Sequence, residues 1–247
     1  MGGFPYFEIL KKAYDLTREN LWLWLFGFFL FGLGKAAVIW AALKFSGKTE
    51  AGKPEPIYFP TALRAGKSFG WRILALHLFI SVIGGALLAV LSLPIGYLYL
   101  VGESGKASML VILGLLIFLP ALMVFAFLCI YGPIFIVVYR VTVRSAVYLA
   151  FNLFRHKARE SLSLFIFIGS FSIILFSVPL AFLALVLIKS GPGTILFATC
   201  VILILASRFS VFQNIAWTLA VLEMVKTEKT EEKAEAAAPA VEAEPAN

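Results

Sequence analysis

The chain has 247 residues, of which 61% are hydrophobic and only 14% are charged. Soluble domains carry about a quarter of their residues as Asp, Glu, Lys or Arg, so this composition excludes an ordinary soluble domain and indicates a membrane protein. The net charge of +7 is uneven: residues 1–222 hold 18 basic against 7 acidic side chains, and residues 223–247 hold 3 against 7. A basic, apolar body favours anionic lipid headgroups as partners and argues against nucleic acid.

In chain order, the apolar pattern predicts an all-α fold, a polytopic transmembrane helical bundle over residues 1–225 with amphipathic helices beside the membrane. The first predicted element is an amphipathic helix over 4–20, whose apolar side holds Phe7, Leu10, Tyr14 and Leu21. Five apolar blocks follow, spanning 21–45, 70–100, 107–139, 161–189 and 193–223. The tail over 226–247 is acidic and rich in Ala and Pro, which predicts disorder.

An amphipathic segment leads into an apolar block three times along the chain. The segments are KKAYDLTRENLWLW, TALRAGKSFGWRIL and RSAVYLAFNLFRHKARESL, and Ala13, Ala62 and Ala146 occupy matching places in them. The spacing is irregular, so the segments do not form a solenoid array. The echo predicts a helix that lies flat at the membrane surface before the chain turns into the bilayer.

Positive charge is concentrated in three places: the N-terminus, the region 44–72 and the stretch 139–160. The positive-inside rule predicts that all three are cytoplasmic, in an inner or cytoplasmic membrane with both termini inside. Five simple crossings would separate the N-terminus from 139–160. We therefore expect block 21–45 to enter and return on the same side, turning near Gly32, Gly34 and Lys35. The alternative is five crossings with 44–72 outside.

Two further sets of residues have predicted roles at helix surfaces. Basic residues expected to contact headgroups are Arg64, Lys67, Arg144, Arg155, Lys157 and Arg159. Small residues that share a helix face, and so favour close packing within the bundle or homodimerisation, are Ser81, Gly85, Ala89, Ser92, Gly96, Ser163, Ser170 and Ser177.

Polar side chains inside apolar blocks are costly, and they often mark functional sites. The candidates for binding a lipid or another ligand are Lys35, His77, Arg208, Gln213 and Asn214. Lys35 also suits a hairpin tip or a snorkelling side chain, and a lone His77 also suits a hydrogen-bonded core position. Arg208 lies about 21 Å along a helix from the start of its block. It needs either an acidic partner or a water-filled recess.

Four stretches are similar to a known family: NLWLWLFGFFLFGLG, FPTALRAGKSFGWRILAL, LPALMVFAFLCIYGPIFIVVYRVTVRSAVYLAFNLFRHKARESL and FQNIAWTLAVLEMV. They resemble the polytopic family that includes the membrane domain attached to some glycerophosphoryl diester phosphodiesterases and related bacterial inner-membrane proteins. The resemblance implies a six-helix membrane domain, and one of those helices is missing or shortened here. The stretches match only the membrane part, so no catalytic residue is carried over.

The sequence contains no P-loop, no HExxH and no Ser/His/Asp arrangement. We therefore expect a protein that is not an enzyme and has no cofactor and no metal. It would act as a scaffold, an assembly partner or an organiser of lipid, with membrane lipids, a second copy or another membrane protein as partner. The alternative is a transporter of lipid or a small solute with a polar recess near Arg208.

Overall fold

A computed structural model describes residues 4–27, 32–47, 58–170, 177, 181 and 192–237. The described residues form eight helices and no strand, so the predicted all-α class is confirmed. The helices are α1 (Tyr6–Glu19), α2 (Leu23–Gly27), α3 (Leu33–Ser46), α4 (Phe59–Leu100), α5 (Ser104–Tyr139), α6 (Val143–His156), α7 (158–170) and α8 (Pro192–Ala237).

Three helices of the described chain are long and apolar enough to cross a membrane: α4, α5 and the Leu196–Thr227 part of α8. At 1.5 Å per residue each exceeds the hydrocarbon core, which is about 30 Å thick. They contain the second, third and fifth predicted blocks, and they make the chain a membrane protein. The fourth block, 161–189, falls largely outside the described residues, so its crossing stays a prediction.

The first apolar block, 21–45, is broken into α2 and α3 rather than forming one spanning helix. The described chain resumes at Gly32 with a positive φ of 72°, a conformation that glycine adopts at little cost. A Cβ atom at Gly32 would also lie 2.9 Å from the carbonyl oxygen of Gly70. The 14 residues of α3 cover about 21 Å, too little to span the bilayer. The re-entrant hairpin expected for this block, and its sidedness, stay predictions.

Helix α3 occupies the centre of the bundle and packs against α1, α2, α4, α5 and α8. Its residues are buried on every side, as is usual for a helix that is apolar all round. Small side chains let the neighbouring helices approach closely. At Gly66 of α4, a Cβ atom would lie 2.7 Å from the backbone oxygen of Leu33. The buried residues of α3 are Gly34, Ala36, Ala37, Val38, Ile39, Ala41 and Ala42.

The packed core lies at one end of the long helices, beside α1, α3 and α6. On α4 the buried side chains end at Ile80, and on α5 the main buried run starts only at Phe127. Between these two points, most large side chains of α4 and α5 are apolar and exposed. An exposed apolar surface on helices of this length is what a lipid-facing surface requires.

Each of the two short amphipathic helices buries alanine together with at least one larger apolar residue, and leaves other large apolar side chains exposed. In α1 the buried residues are Ile9, Ala13, Leu16 and Thr17. On the predicted apolar side of that helix, Phe7 is 78% and Tyr14 is 51% exposed, whereas Leu10 is partly buried against the core. In α6 the buried residues are Ala146, Ala150 and Leu153. The three echoed alanines, Ala13, Ala62 and Ala146, are all fully buried, so each echo marks a close helix contact.

The predicted start of the disordered tail differs from the structure. Helix α8 continues to Ala237 instead of giving way to disorder at residue 226. The extra turns read KTEKTEEKAEAA, and Lys, Glu and Ala are strong helix formers. The predicted small-residue faces are exposed in the single chain, so their role in bundle packing or homodimerisation stays a prediction. A Cβ atom at Gly84 of α4 would lie 3.7 Å from the ring of Phe125, and α7 buries Ser161, Leu164 and Ile168. The exposed small residues are Ser81, Gly85, Ala89, Ser92, Gly96, Ser163, Ser170 and Ser177.

Candidate functional site

A cavity of about 270 Å³ lies among four helices of the bundle. Its polar lining comes from Lys35 on α3, His77 on α4, and Ser210, Gln213 and Asn214 on α8. Its apolar lining is Ile130 and Ile134 of α5 and Trp217 of α8. Four of the five residues that the sequence singled out as ligand-binding candidates therefore surround one cavity.

The position of Lys35 is explained by a proline on the neighbouring helix. Pro133 of α5 has no backbone N–H, so the carbonyl group of Cys129, four residues earlier, has no partner within its own helix. The ammonium group of Lys35 donates a hydrogen bond of 2.7 Å to this carbonyl oxygen. The contact satisfies a carbonyl that would otherwise be unpaired, and it fixes one end of the lysine at the cavity wall.

His77 is anchored to its own helix through one ring nitrogen. Its Nδ1 lies 2.7 Å from the carbonyl oxygen of Ile73. A carbonyl can only accept, so Nδ1 carries the hydrogen in this contact. The hydrogen bond fixes the orientation of the ring at the cavity.

The α8 side of the cavity is a single helix face. Ser210, Gln213, Asn214 and Trp217 follow one another at i, i+3, i+4 and i+7, the spacing that places side chains above each other. The amide nitrogen of Asn214 donates 2.8 Å to the carbonyl oxygen of Ser210. The side-chain amide of Gln213 has no hydrogen-bond partner within the described part of the chain. It is therefore available to a ligand.

The cavity lies near the basic end of the membrane-spanning helices. Arg72 and Trp71 are exposed on α4, and both residue types are common at the membrane surface. His77 follows Arg72 by five residues, which corresponds to about 7 Å along the helix. The polar groups therefore lie one to two helical turns inside the apolar zone.

Arg208 does not belong to the lining of this cavity. Its guanidinium group lies over the ring of Trp24, 4.4 Å from the ring centroid. The indole N–H of Trp24 donates to the carbonyl oxygen of Thr17, and the hydroxyl of Ser207 donates to the carbonyl oxygen of Trp24. No carboxylate lies at ion-pair distance from Arg208 in the described residues. Its observed partner is an aromatic ring, and its contacts connect α1, α2 and α8.

The predicted headgroup-contact residues lie on the outside of the bundle. Five of them are exposed and Lys157 is partly buried; the exposed ones are Arg64, Lys67, Arg144, Arg155 and Arg159. Exposed aromatic rings accompany them on α6, where Tyr148 is 70% exposed. Such a mixture of basic and aromatic side chains is typical of helices at the membrane surface.

Sequence reasoning missed the apolar lining and Ser210. Ser210 and Trp217 could have been found from Gln213 and Asn214, because they lie on the same helix face. The described residues contain no group of three or more His, Cys, Asp or Glu side chains able to hold a metal.

The fold and the cavity together define the class of protein: an all-α membrane protein with a cavity of mixed polar and apolar lining among its helices. Comparisons with protein-family models, curated proteins and solved structures find no match. The family resemblance of the four quoted stretches therefore stays an expectation.

Proposed function

We propose that this is an integral membrane protein that binds a lipid or a small polar solute non-covalently and organises or moves it, without acting as an enzyme. The observation that carries the proposal is the convergence of five polar side chains from three helices on one cavity of about 270 Å³. The proposal combines the transporter and the lipid-organiser functions expected from the sequence, and it puts the polar recess at Lys35 and His77 rather than at Arg208.

Polar side chains at this depth in the membrane are unfavourable, so their presence indicates a role. An ionisable side chain in the membrane interior costs several kcal/mol, and apolar residues would pack there at no such cost. Ligand sites typically combine an apolar wall with a few convergent polar groups. The isoleucines, Trp217 and the five polar side chains fit that description.

The chemistry of the lining supports binding. The cavity presents one amine, one imidazole, two amides and one hydroxyl, all of which can form hydrogen bonds to a ligand. The exposed basic residues of α4 and α6 would keep anionic lipids near the bundle. A scaffold for a second copy or for another membrane protein is the competing function.

We place the protein in a cytoplasmic membrane with both termini and residues 44–72 inside. Reporter tags at the N-terminus and near Thr49 test this arrangement. Tags that are both inaccessible from outside support the re-entrant hairpin of α2 and α3. An accessible tag near Thr49 with an internal N-terminus would mean that block 21–45 crosses the membrane.

Native mass spectrometry of the protein, purified from its own membranes in mild detergent, tests the function. We expect a stoichiometric small molecule or lipid that is lost from Gln213→Leu and Asn214→Leu. Asn152→Leu, which removes the same amide from α6, is the matched control and should retain it. A protein partner retained without any bound ligand would favour the scaffold instead.

A further inference from the structure

We infer that the ligand of this cavity is an anion, either a lipid phosphate or a small phosphate- or carboxylate-bearing solute, bound by the Lys35 ammonium group. This inference rests on the proposed function, because it names the chemical class of the ligand that the cavity holds.

Lys35 has no counter-charge in the described part of the chain. No carboxylate lies within ion-pair distance of its ammonium group, and the lining of the cavity contains no acidic residue. The partner that the structure gives it is the neutral carbonyl oxygen of Cys129. A positive charge held in an apolar bundle without an acid favours a ligand that brings the negative charge with it.

The ammonium group of Lys35 is held in place, and some of its hydrogen-bond donors remain unoccupied. A lysine has three N–H donors, and the contact with Cys129 occupies one of them. Part of the side chain stays accessible at the cavity. Because Pro133 leaves the Cys129 carbonyl unpaired, this anchor exists in the absence of ligand, and the two remaining donors need little reordering to bind an anion.

Two further features of the cavity also favour an anionic ligand. Lys35 lies in the first turn of α3, whose N-cap residue Gly32 offers no side chain to cap the helix. The positive end of the helix dipole therefore adds to the charge of the lysine. Gln213 adds an amide donor from α8, where the Asn214 amide nitrogen already donates to Ser210. A volume of about 270 Å³ is ample for a phosphate group and a few attached atoms, given that one water takes up about 30 Å³.

The test uses the full chain in nanodiscs, with two anionic probes. In the first arm, the discs contain phosphatidylcholine and phosphatidylglycerol in equal parts, and native mass spectrometry counts the phosphatidylglycerol that stays bound. In the second arm, the discs contain phosphatidylcholine alone, and equilibrium binding of inorganic phosphate is measured. The variants are Lys35→Gln, which keeps a donor for Cys129, and Lys35→Arg, which keeps the charge. Lys11→Gln, which removes an exposed charge from α1, is the control.

We expect Lys35→Gln to weaken binding of at least one probe about tenfold or more, as is usual when a charge-assisted hydrogen bond is lost. Lys35→Arg and Lys11→Gln should bind within about threefold of wild type, since both proteins keep a cation at position 35 in the cavity. Phosphatidylglycerol as the retained probe identifies a lipid headgroup, and phosphate identifies a free solute. Unchanged thermal unfolding of Lys35→Gln shows that its loss of binding is not a loss of fold.

The inference is overturned if wild-type protein binds neither probe, or if Lys35→Gln binds both as wild type does. A neutral or zwitterionic ligand that survives Lys35→Gln but is lost from Asn214→Leu would refute the anion and leave the proposed function standing. If neither variant changes any bound ligand, the inference and the proposed function both fail.

Discussion

The link between Lys35 and Pro133 gives the sharpest prediction about what holds the cavity together. If Pro133 leaves the Cys129 carbonyl unpaired and Lys35 satisfies it, the two residues are coupled although they do not form a hydrogen bond with each other. Lys35→Met removes the donor. Pro133→Ala supplies a backbone N–H that can donate to the same carbonyl.

The size of the coupling follows from the hydrogen bond that changes. A buried carbonyl left without a partner costs about 1–3 kcal/mol. With Pro133 present, Lys35→Met leaves the Cys129 carbonyl without a hydrogen-bond partner. In the Pro133→Ala background the new N–H satisfies it, so the same substitution should cost about 1 kcal/mol less. The other effects of each substitution, including removal of the charge, cancel in the double-mutant cycle.

The four proteins of this cycle can be compared by reversible unfolding in bicelles titrated with SDS, followed by tryptophan fluorescence. The expected result is a coupling free energy of about 1 kcal/mol, with the double variant more stable than the sum of the single changes requires. Additivity within about 0.3 kcal/mol would show that Lys35 does not stabilise the Cys129 carbonyl and would refute the reasoning.

Three other substitutions and one control variant test the contacts between helices. Gly66→Ala places a methyl group against a backbone oxygen of α3 and should cost about 1–3 kcal/mol, whereas Gly85→Ala, with open space around it, should be neutral or slightly stabilising. Arg208→Gln removes the contact with Trp24 and should lower the free energy of unfolding by about 0.5–2 kcal/mol. The variant should retain the ligand, and loss of the ligand would show that Arg208 belongs to the binding site. Tyr131→Phe removes a buried hydrogen bond of 2.7 Å to a serine of α7 and should cost about 1 kcal/mol. An unchanged unfolding midpoint would contradict each expected loss.

Much of the cavity could be predicted because polar residues in apolar helices are conspicuous. Lys35, His77, Gln213 and Asn214 stood out for that reason alone. Arg208 stood out equally, yet its partner is an aromatic ring 184 positions earlier in the chain. Sequence separation hides such a contact, since no local pattern shows which ring will lie over a charge.

Helix faces were harder to assign than helices. In a soluble protein the apolar side of a helix is the buried side, but in a bilayer lipid competes for it. Phe7 and Tyr14 face outward on α1, while Ala13 and Leu16 are fully buried. The three echoed alanines were visible in the sequence, and their burial explains the echo as a repeated close approach of helices rather than a repeated apolar face.

Two independent features of the sequence predicted the break in the first apolar block. Glycines at 32 and 34 allow a turn, and the distribution of positive charge argued against a fifth crossing. The tail was different: its composition resembles disordered segments, while its Lys, Glu and Ala content also favours helix. Continuity with the long helix α8 decides in favour of helix up to Ala237.

Photo-crosslinking from the cavity wall tests the central claim most directly. A photoactivatable residue replaces Ile130, which lines the cavity, or Ile117, which is exposed on the same helix. Bound molecules are crosslinked in native membranes and identified by mass spectrometry. The account predicts one enriched species at position 130 and the bulk lipid mixture at position 117. The same mixture at both positions, or no crosslink at 130, would contradict a ligand-binding cavity.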